Sequence, residues 1–189
     1  MGQDTVILPG TMLQGKTKVG ENCTLGPDTQ LTDVICGDGN HLNRVYAHSC
    51  ELGDNNEIGP FVHLRPETCL HNDIKIGNFV EVKNSDVDDG TKLPHLIYCG
   101  DSDLGKNVNF GCGTVTVNFD GKNKHRCTID EHAFIGCNTN LVAPVHVGAR
   151  AFTAAGSTIT KDVPAKALAV GRAKQLNIEN WVKEDTYKD

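Results

Sequence analysis

The sequence has few aromatic side chains: 6 Phe, 3 Tyr and a single Trp among 189 residues. This scarcity argues against a core built mainly from large rings, although a chain of this length can bury the core of one domain. Glycine, in contrast, occupies 20 positions, and together with Asn and Asp it is favoured at turns. The composition therefore indicates a stack of small aliphatic side chains with frequent turns of the backbone.

The sequence also lacks long apolar runs and an excess of positive charge. No segment is long and apolar enough to cross a membrane, and the opening residues MGQDTVILPG contain neither the basic nor the apolar region of a signal peptide. We therefore expect a cytoplasmic protein with no membrane partner. The net charge of −6 argues against binding of nucleic acid, but it is compatible with a local cationic pocket.

Closely spaced cysteine pairs are absent as well. The 8 cysteines are scattered along the chain and form no CxxC motif. In a cytoplasmic protein we expect them to be reduced and to serve mostly as small buried side chains. Because structural zinc sites usually have closely spaced ligands, the sequence predicts no metal site.

The most informative pattern that is present is an aliphatic residue at every sixth position, often followed by Gly. A period of six fits neither the 3.6-residue repeat of a helix nor the two-residue alternation of a flat strand. It is typical of a hexapeptide β-solenoid, in which each repeat forms one side of a coil. The repeating positions are Ile7, Leu13, Val19, Leu25 and Leu31, then Leu52, Ile58, Leu64, Leu70, Ile76 and Val82, and finally Ile129, Ile135, Leu141, Val147 and Ile159.

The period is irregular at two places within the solenoid. Its phase slips around residues 33–51, where Cys36 and Leu42 continue it weakly. Further along, the step from Val82 to Val87 is five residues instead of six. We expect the coil to continue through both places.

A longer interruption covers residues 117–127, which read VNFDGKNKHRC. This polar and basic segment must leave the solenoid wall as a loop, and loops that interrupt repeat arrays often carry function. The repeat then continues to about Ile159. We predict a solenoid domain over residues 1–163 and a C-terminal cap and arm over 164–189, and we expect the flat faces to associate into an oligomer, for which threefold symmetry suits a three-sided coil.

Several segments together resemble one known family. They are HLRPETCL (63–70), IGNFVEVKNS (76–85), HLIYCGD (95–101), NVNFGCGTVTVNFDGKNKHRC (107–127), IGCNTNLVAPVHVG (135–148), FTAAGSTITKDVP (152–164) and LAVGRAKQ (168–175). Over residues 5–183 the chain resembles the acetyltransferase domain of the bacterial bifunctional enzyme that makes UDP-N-acetylglucosamine.

The resemblance implies an all-β fold, a left-handed parallel β-helix of about ten coils, assembled as a homotrimer with active sites between subunits. It implies transfer of an acetyl group from the co-substrate acetyl-CoA to the small molecule glucosamine-1-phosphate, with no metal required for that step. The uridyltransferase half of the family's enzyme has no counterpart in this sequence, so we expect acetyl transfer alone. Three alternatives stay open: another amino sugar, a nucleotide-linked sugar, or a non-catalytic scaffold of the same fold.

The resemblance also assigns the acceptor site. The amine of an amino sugar is protonated at neutral pH, so a base must remove a proton before the acyl group can be transferred to it. A His with a suitable pKa is the usual choice, and the family match implies that this base is His95. Arg65 and Lys83 would hold the phosphate. Because they are three hexapeptides apart, the period itself stacks them on one face. Tyr98 and Asn109 correspond to residues that contact the sugar ring.

In the loop, the resemblance implies that Lys124 binds phosphate and that Asn118 lies near the reacting amine and the coenzyme. Phe119 stands where the family usually has Tyr, so a hydroxyl contact is lost there. The other coenzyme positions are Cys112, Cys137, Ala155, Arg172 and Trp181, and Trp181 is equally suited to packing.

Two of these positions depart from the family, which usually has Ala at 112 and Ser at 137. A direct transfer needs no acyl-cysteine intermediate, so we do not expect one. The oxyanion would be stabilised by a backbone N–H or small side chain near residues 111–113 or 136–138.

A zinc-binding solenoid would need stacked His ligands, and the possible ligands do not recur at multiples of 18. These ligands are His41, His48, His63 and His71.

Overall fold

The computed structural model describes residues 1–182, and within them every regular element is a β-strand. Residues 1–182 contain no helix that is long and apolar enough to span a membrane. The strands in chain order are β1 (Val6–Ile7), β2 (Met12–Gln14), β3 (Lys18–Val19), β4 (Thr24–Leu25), β5 (Gln30–Thr32), β6 (Ile35–Cys36), β7 (His41–Leu42), β8 (Val45–His48), β9 (Cys50–Leu52), β10 (Glu57–Ile58), β11 (Val62–Leu64), β12 (Thr68–Leu70), β13 (Lys75–Lys83), β14 (Asp86–Val87), β15 (Lys92–Gly100), β16 (Ser102–Leu104), β17 (Asn109–Phe110), β18 (Val115–Val117), β19 (Cys127–Ile129), β20 (Phe134–Ile135), β21 (Asn140–Val142), β22 (Val145–Val147), β23 (Phe152–Thr153), β24 (Thr158–Ile159) and β25 (Leu168–Ala169).

These strands form the three faces of a parallel β-solenoid of about ten coils, as the six-residue period predicts. Face A contains β1, β4, β7, β10, β17, β20, β23 and β25 with the first halves of β13 and β15. Face B contains β2, β5, β8, β11, β18, β21 and β24 with the second halves of β13 and β15. Because β13 and β15 bend around the corner, faces A and B form one 17-stranded sheet, whereas face C is a separate 8-stranded sheet of β3, β6, β9, β12, β14, β16, β19 and β22.

The core is a column of aliphatic side chains inside the coil. In face A, for example, Leu25 pairs with Leu42, Leu42 with Ile58, and Ile58 with Ile76, and all four are buried. Each coil therefore covers the apolar layer of the coil beneath it. This stacking explains how a chain with few aromatic residues buries a core along its whole length.

The irregular phase around residues 33–51 reflects coils of different length. Leu13 pairs with Leu31, which is 18 residues further on, whereas Leu31 pairs with Ala47, which is only 16 further on. Cys36 and Leu42 are both buried, at 4% and 1% exposure. The prediction that the coil continues through this segment is confirmed.

The solenoid extends further towards the C-terminus than the repeat pattern indicates. The repeat was expected to end near Ile159, but Val163 forms a bridge with Val147 and β25 pairs with β23. The open edge of the preceding coil offers unpaired backbone groups, and this last strand satisfies them. The division into domains at residue 163 stays a prediction, since the strand pairing continues to Ala169.

The loop over residues 117–127 leaves the wall as expected. Strand β18 ends at Val117 and β19 begins at Cys127. Between them, Phe119 and Lys124 form an antiparallel bridge, which makes the loop a small hairpin. The carboxylate of Asp120 accepts the N–H groups of Lys122 and Asn123 at 2.8 and 2.7 Å, so the hairpin tip is fixed by local hydrogen bonds.

Candidate functional site

The predicted site residues lie on both sides of the corner between faces A and B. Strand β15 passes this corner at Leu96, whose φ of 51° lies in the left-handed region. His95 comes immediately before the corner and Tyr98 just after it. The two side chains therefore start from adjacent faces of the same coil.

His95 opens into a cavity of about 570 Å³ on face A. Asn109 lines the same cavity, as do Lys75 and Lys92. The His95 side chain is exposed and forms no hydrogen bond with any side chain or backbone group of residues 1–182. Its ring nitrogens are therefore available to a bound molecule.

One column of residues continues from His95 along the corner. Lys92 pairs with Asn109, Asn109 with Phe134, and Phe134 with Phe152. The residues three positions after these partners share the same register. They are His95, Cys112, Cys137 and Ala155, which therefore lie above one another on four successive coils. The structure thus brings the predicted base and three predicted coenzyme residues into a single line.

Backbone hydrogen bonds between the coils agree with this column. The N–H of Asn138 donates to the Cys112 carbonyl at 2.7 Å, and the N–H of Gly156 donates to the Cys137 carbonyl at 2.8 Å. The N–H groups of Cys112, Cys137 and Ala155 themselves have no acceptor within residues 1–182. A ligand lying along the corner would meet three free donors.

Arg172 lies beside the C-terminal end of this line, one residue past the position that would continue it. Thr153 pairs with Ala169, which places position 172 above position 156. A Cβ atom added to Gly156 would lie 3.8 Å from the Cδ of Arg172. Trp181, in contrast, is 76% exposed and stands apart in the C-terminal arm.

The two stacked cations lie on face B. Leu64 pairs with Val82, so Arg65 and Lys83 occupy the same position on adjacent coils, as the spacing predicts. Arg65 Nη1 donates to Glu81 Oε1 at 2.8 Å, and this hydrogen bond raises the pKa of Arg65 further above its usual range. Glu81 was not recognised from the sequence.

A buried carboxylate, Asp101, joins the second cation to the loop. Lys83 Nζ lies 4.0 Å from Asp101 Oδ1, and Lys124 Nζ lies 4.0 Å from Asp101 Oδ2. Asp101 is 4% exposed. It also accepts a hydrogen bond from Asn84 Nδ2 at 2.5 Å and one from Asn118 Nδ2.

The close approach of two ammonium groups has an electrostatic consequence. The adjacent Lys124 and partial burial lower the pKa of Lys83, and the charge of Asp101 offsets this only in part. The charge of Arg65 lowers the pKa of Lys83 as well. A bound anion would relieve this repulsion, so the cluster is suited to phosphate.

Asn118 connects this cationic cluster to Tyr98. Its Nδ2 donates to the Tyr98 hydroxyl at 3.2 Å as well as to Asp101. Phe119, the next residue, is 55% exposed. The loop therefore contributes two of its predicted residues, Asn118 and Lys124, to the cluster, whereas the ring of Phe119 points away from the core.

The far end of the loop is held by Arg126. Its guanidinium binds both oxygens of Asp103 and donates to the backbone carbonyls of Asn84 and Ser102, each at 3.1 Å. These contacts attach the loop to face C and to the coil that carries Lys83. The sequence pattern did not identify this interaction, because Asp103 and Arg126 are 23 residues apart.

Comparison with known proteins adds a family to this geometry. No protein-family model matches the chain. The bifunctional protein GlmU of Geobacillus sp. (strain WCH70) is 53% identical over 96% of this chain and 40% of its own length. GlmU of Caldanaerobacter subterraneus subsp. tengcongensis is 55% identical over 97% of this chain and 40% of its own length. The chain belongs to the GlmU family.

The GlmU relatives are longer than this chain, which spans about two fifths of their length. One solved structure has a similar fold. The UDP-N-acetylglucosamine O-acyltransferase LpxA from Moraxella catarrhalis RH4 matches with a TM-score of 0.52 and 14% identity. That match covers 88% of this chain and 69% of LpxA, and it supports the solenoid fold alone.

Within this GlmU-family chain, sequence reasoning missed Asp101, Glu81 and Asn84 as members of the site. The period could have located Asp101, since Lys83 pairs with Gly100 in the neighbouring coil. An exact repeat of 18 would pair Lys83 with Asp101 itself, whereas the actual offset of 17 residues places Asp101 beside Asn84, one residue further on.

Proposed function

We propose that the chain transfers an acetyl group from acetyl-CoA to the amine of glucosamine-1-phosphate. The observation that carries this proposal is the column of His95, Cys112, Cys137 and Ala155 beside a cationic cluster. A base, a line of free N–H groups and a phosphate site are the parts that the reaction needs. Membership of the GlmU family supports the same assignment.

In this proposal the phosphate binds between Arg65, Lys83 and Lys124. Arg65 offers a planar fork for two phosphate oxygens, and each lysine offers a compact positive charge. Tyr98 and Asn109 would hold the sugar hydroxyls from the two faces that meet at the corner. The presence of three cations favours a simple sugar phosphate over an unphosphorylated amino sugar.

His95 would act as the general base. Its imidazole takes a proton from the ammonium of the amino sugar, and the free amine then attacks the thioester carbonyl. The tetrahedral intermediate collapses with breakage of the carbon–sulfur bond, and the coenzyme leaves as a thiolate that takes up the second proton lost by the attacking nitrogen. The resulting amide is N-acetylglucosamine-1-phosphate.

The negative charge of that intermediate needs a hydrogen-bond donor. The free N–H of Cys112 is one coil away from His95 in the same column, and that of Cys137 is two coils away. We therefore assign the oxyanion to the Cys112 N–H. The remaining N–H groups and Arg172 would hold the pantetheine arm and the coenzyme phosphates, with Asn118 and Phe119 along its edges. A contact of Trp181 with the coenzyme stays a prediction, because this side chain stands apart in the C-terminal arm.

We also propose a homotrimer with active sites between subunits. A second cavity, of about 940 Å³, lies on face B beside Tyr98 and is lined by the exposed rings of Tyr46, Phe61 and Phe79. Exposed rings of this kind are typical of surfaces that another chain covers. A neighbouring subunit placed there would contact the substrate-binding face.

The decisive experiment measures release of free coenzyme A from acetyl-CoA with glucosamine-1-phosphate as acceptor. We expect the wild-type chain to turn over and His95→Ala to lose about two orders of magnitude in kcat, the usual scale for a missing general base. His146→Ala is the matched control, because His146 is an exposed histidine on face C that binds Asp130 at 2.8 Å.

The acceptor is tested with the same assay. Unphosphorylated glucosamine should be a far poorer substrate than glucosamine-1-phosphate, because the three cations would have no anion to bind. A well-folded wild-type chain without turnover on glucosamine-1-phosphate would refute the substrate assignment. Equal activity of His95→Ala and His146→Ala would refute the base.

A further inference from the structure

A second group of reactive side chains lies on face C, away from the proposed acetyltransferase site. Cys69 is in strand β12, and Asp86 is its partner in strand β14 of the next coil. His71 follows the end of β12. One ligand atom from each of these three residues lies within 4.8 Å of the other two.

We propose that Cys69, His71 and Asp86 form a binding site for a divalent transition metal such as Zn²⁺. The three side chains offer a sulfur, a nitrogen and an oxygen ligand, which is the mixed set that Zn²⁺ and Co²⁺ accept. A tetrahedral zinc site has bonds of about 2.0 to 2.3 Å, so its ligand atoms stand roughly 3.5 Å apart. Small rotations of the side chains would bring the three ligand atoms to that spacing.

The hydrogen bonding of these residues leaves them free to bind an ion. Within residues 1–182, Cys69 Sγ donates to no acceptor, in contrast to Cys50, whose thiol contacts two backbone carbonyls at 3.1 Å. Within the same residues, the one hydrogen bond of the Asp86 side chain is to His71, at 2.9 Å from Nε2 to Oδ1. That single contact already aligns the imidazole and the carboxylate.

A neighbouring carboxylate can complete the coordination. Glu51 is the partner of Cys69 in strand β9, on the other side from Asp86. The side chains of His71 and Asp86 are 43% and 57% exposed, so an ion can enter from solvent. Either Glu51 or a water molecule would supply the fourth ligand of a tetrahedral site.

An alternative group that shares His71 is less suited to a metal. Asp89 Oδ2 accepts from Lys106 Nζ at 2.9 Å, and Asp89 Oδ1 accepts from Asn72. Asp88 Oδ1 accepts the backbone N–H of Asp89 at 2.8 Å. These carboxylates are already occupied, so the site is assigned to Cys69 and Asp86.

The sequence gives no sign of this site because its ligands come from different coils. Cys69 and Asp86 are 17 residues apart and become neighbours only through the strand register. A bound ion would cross-link two successive coils on face C. We therefore expect it to stabilise the solenoid rather than to take part in acetyl transfer.

The test is a Co²⁺ titration of the full chain, because a cobalt–thiolate bond absorbs in the near ultraviolet. We expect this absorption to saturate at one Co²⁺ per chain and to disappear when Zn²⁺ is added. Cys69→Ser should abolish the absorption. His71→Asn should weaken Co²⁺ binding by at least about tenfold, the lower end of the effect seen for groups that merely support a ligand.

Two variants serve as controls for this titration. Cys137→Ser removes an exposed thiol at the opposite corner, and Asp89→Asn removes a carboxylate of the alternative group; both should bind Co²⁺ as the wild type does. An unchanged circular dichroism spectrum without metal shows that each variant is folded. No absorption in the wild type, or absorption that survives Cys69→Ser, would overturn the proposal.

Discussion

At the scale of single residues, Asp101 organises the cationic cluster. It is buried, it accepts hydrogen bonds from Asn84 and Asn118, and it lies 4.0 Å from both Lys83 and Lys124. Without this charge, two amide donors lose their acceptor and two ammonium groups lose the anion between them. A buried carboxylate with several donors contributes strongly to stability, because removing it leaves its partners unsatisfied.

We predict that Asp101→Ala lowers the free energy of unfolding by about 3 kcal/mol, within the range for loss of one member of a buried charged network. Hydrogen exchange should also become faster at residues 118–126, since Asn118 fixes the start of the loop. Denaturant unfolding and exchange mass spectrometry measure the two effects. Glu131→Ala, which removes an exposed carboxylate, should change neither, and equal stability of the two variants would contradict the prediction.

Residue-level expectations from the sequence succeeded where they depended only on the period. The stacking of Arg65 on Lys83 follows from three hexapeptides and is present in the structure. The roles of these two residues in binding phosphate stay a prediction. Asp101 lies 18 residues after Lys83, so the period could have located it near that lysine, but its contact with Asn84 depends on a coil of 17 residues. The length of one particular coil is set by how its corners turn.

At the scale of the repeating element, glycine follows the buried aliphatic residue because the next coil leaves no room for a side chain. A Cβ atom added to Gly77 would lie 2.0 Å from the carbonyl oxygen of Pro94. This oxygen belongs to the backbone of the neighbouring coil and cannot rotate away. The frequent Gly of the sequence pattern is thus explained by the close contact between coils, without any need for a positive φ at this position.

We predict that Gly77→Ala destabilises the solenoid by about 3 kcal/mol, the upper part of the range for overpacking. Thermal unfolding followed by circular dichroism measures this change. Gly121→Ala is the matched control, because nothing lies within 4 Å of a Cβ at that loop position. Its φ of 98° gives it a strain cost of its own, so the prediction fails if Gly121→Ala is the more damaging substitution.

The pattern of elements was largely readable from the sequence, and its exceptions have physical causes. The loop at 117–127 was identified because polar residues cannot continue an aliphatic wall. The last strand, Leu168–Ala169, was missed because it pairs with β23 although the hexapeptide phase has ended. Its position is determined by the open edge of the preceding coil, which a local pattern does not reveal.

At the scale of the whole molecule, four buried cysteines link stability to alkaline pH. Burial is the main cause that raises the pKa of Cys50 to about 11 and the pKa values of Cys36, Cys99 and Cys127 to about 12. These thiols stay protonated in the folded chain at a pH where they ionise in the unfolded chain. Their contribution to the free energy of unfolding is therefore fully present below pH 9 and is lost as the pH rises towards 12.

We predict that the free energy of unfolding falls between pH 9 and pH 11 by up to about 1.4 kcal/mol per pH unit for each thiol that ionises only when unfolded. Denaturant titrations at several pH values measure the slope. Cys99→Ala should make the decrease of the free energy of unfolding with pH less steep by the contribution of one thiol. Cys137→Ser, which changes an exposed thiol, should leave this slope unchanged. Identical slopes in both variants would contradict this account.

The assembly of the molecule is predicted from the rings that remain exposed at the corner where face B begins. Phe61 and Phe79 stack with their centroids 5.4 Å apart and their planes 3° apart, yet they are 53% and 57% exposed. Together with Tyr98 they line one cavity. If subunits meet there, burial of these rings supplies apolar stabilisation, and the partner chain closes the substrate-binding face.

We predict that sedimentation equilibrium gives a mass three times the 20.4 kDa of the chain. Phe79→Glu should dissociate the trimer and reduce acetyl transfer together, because a charged side chain would be buried in the interface and the site would lose its neighbouring subunit. Phe152→Glu is the control, since Phe152 belongs to a second stacked and exposed pair, on face A. A Phe79→Glu variant that stays trimeric would place the interface elsewhere, and a monomeric, active wild type would show that one chain holds the complete site.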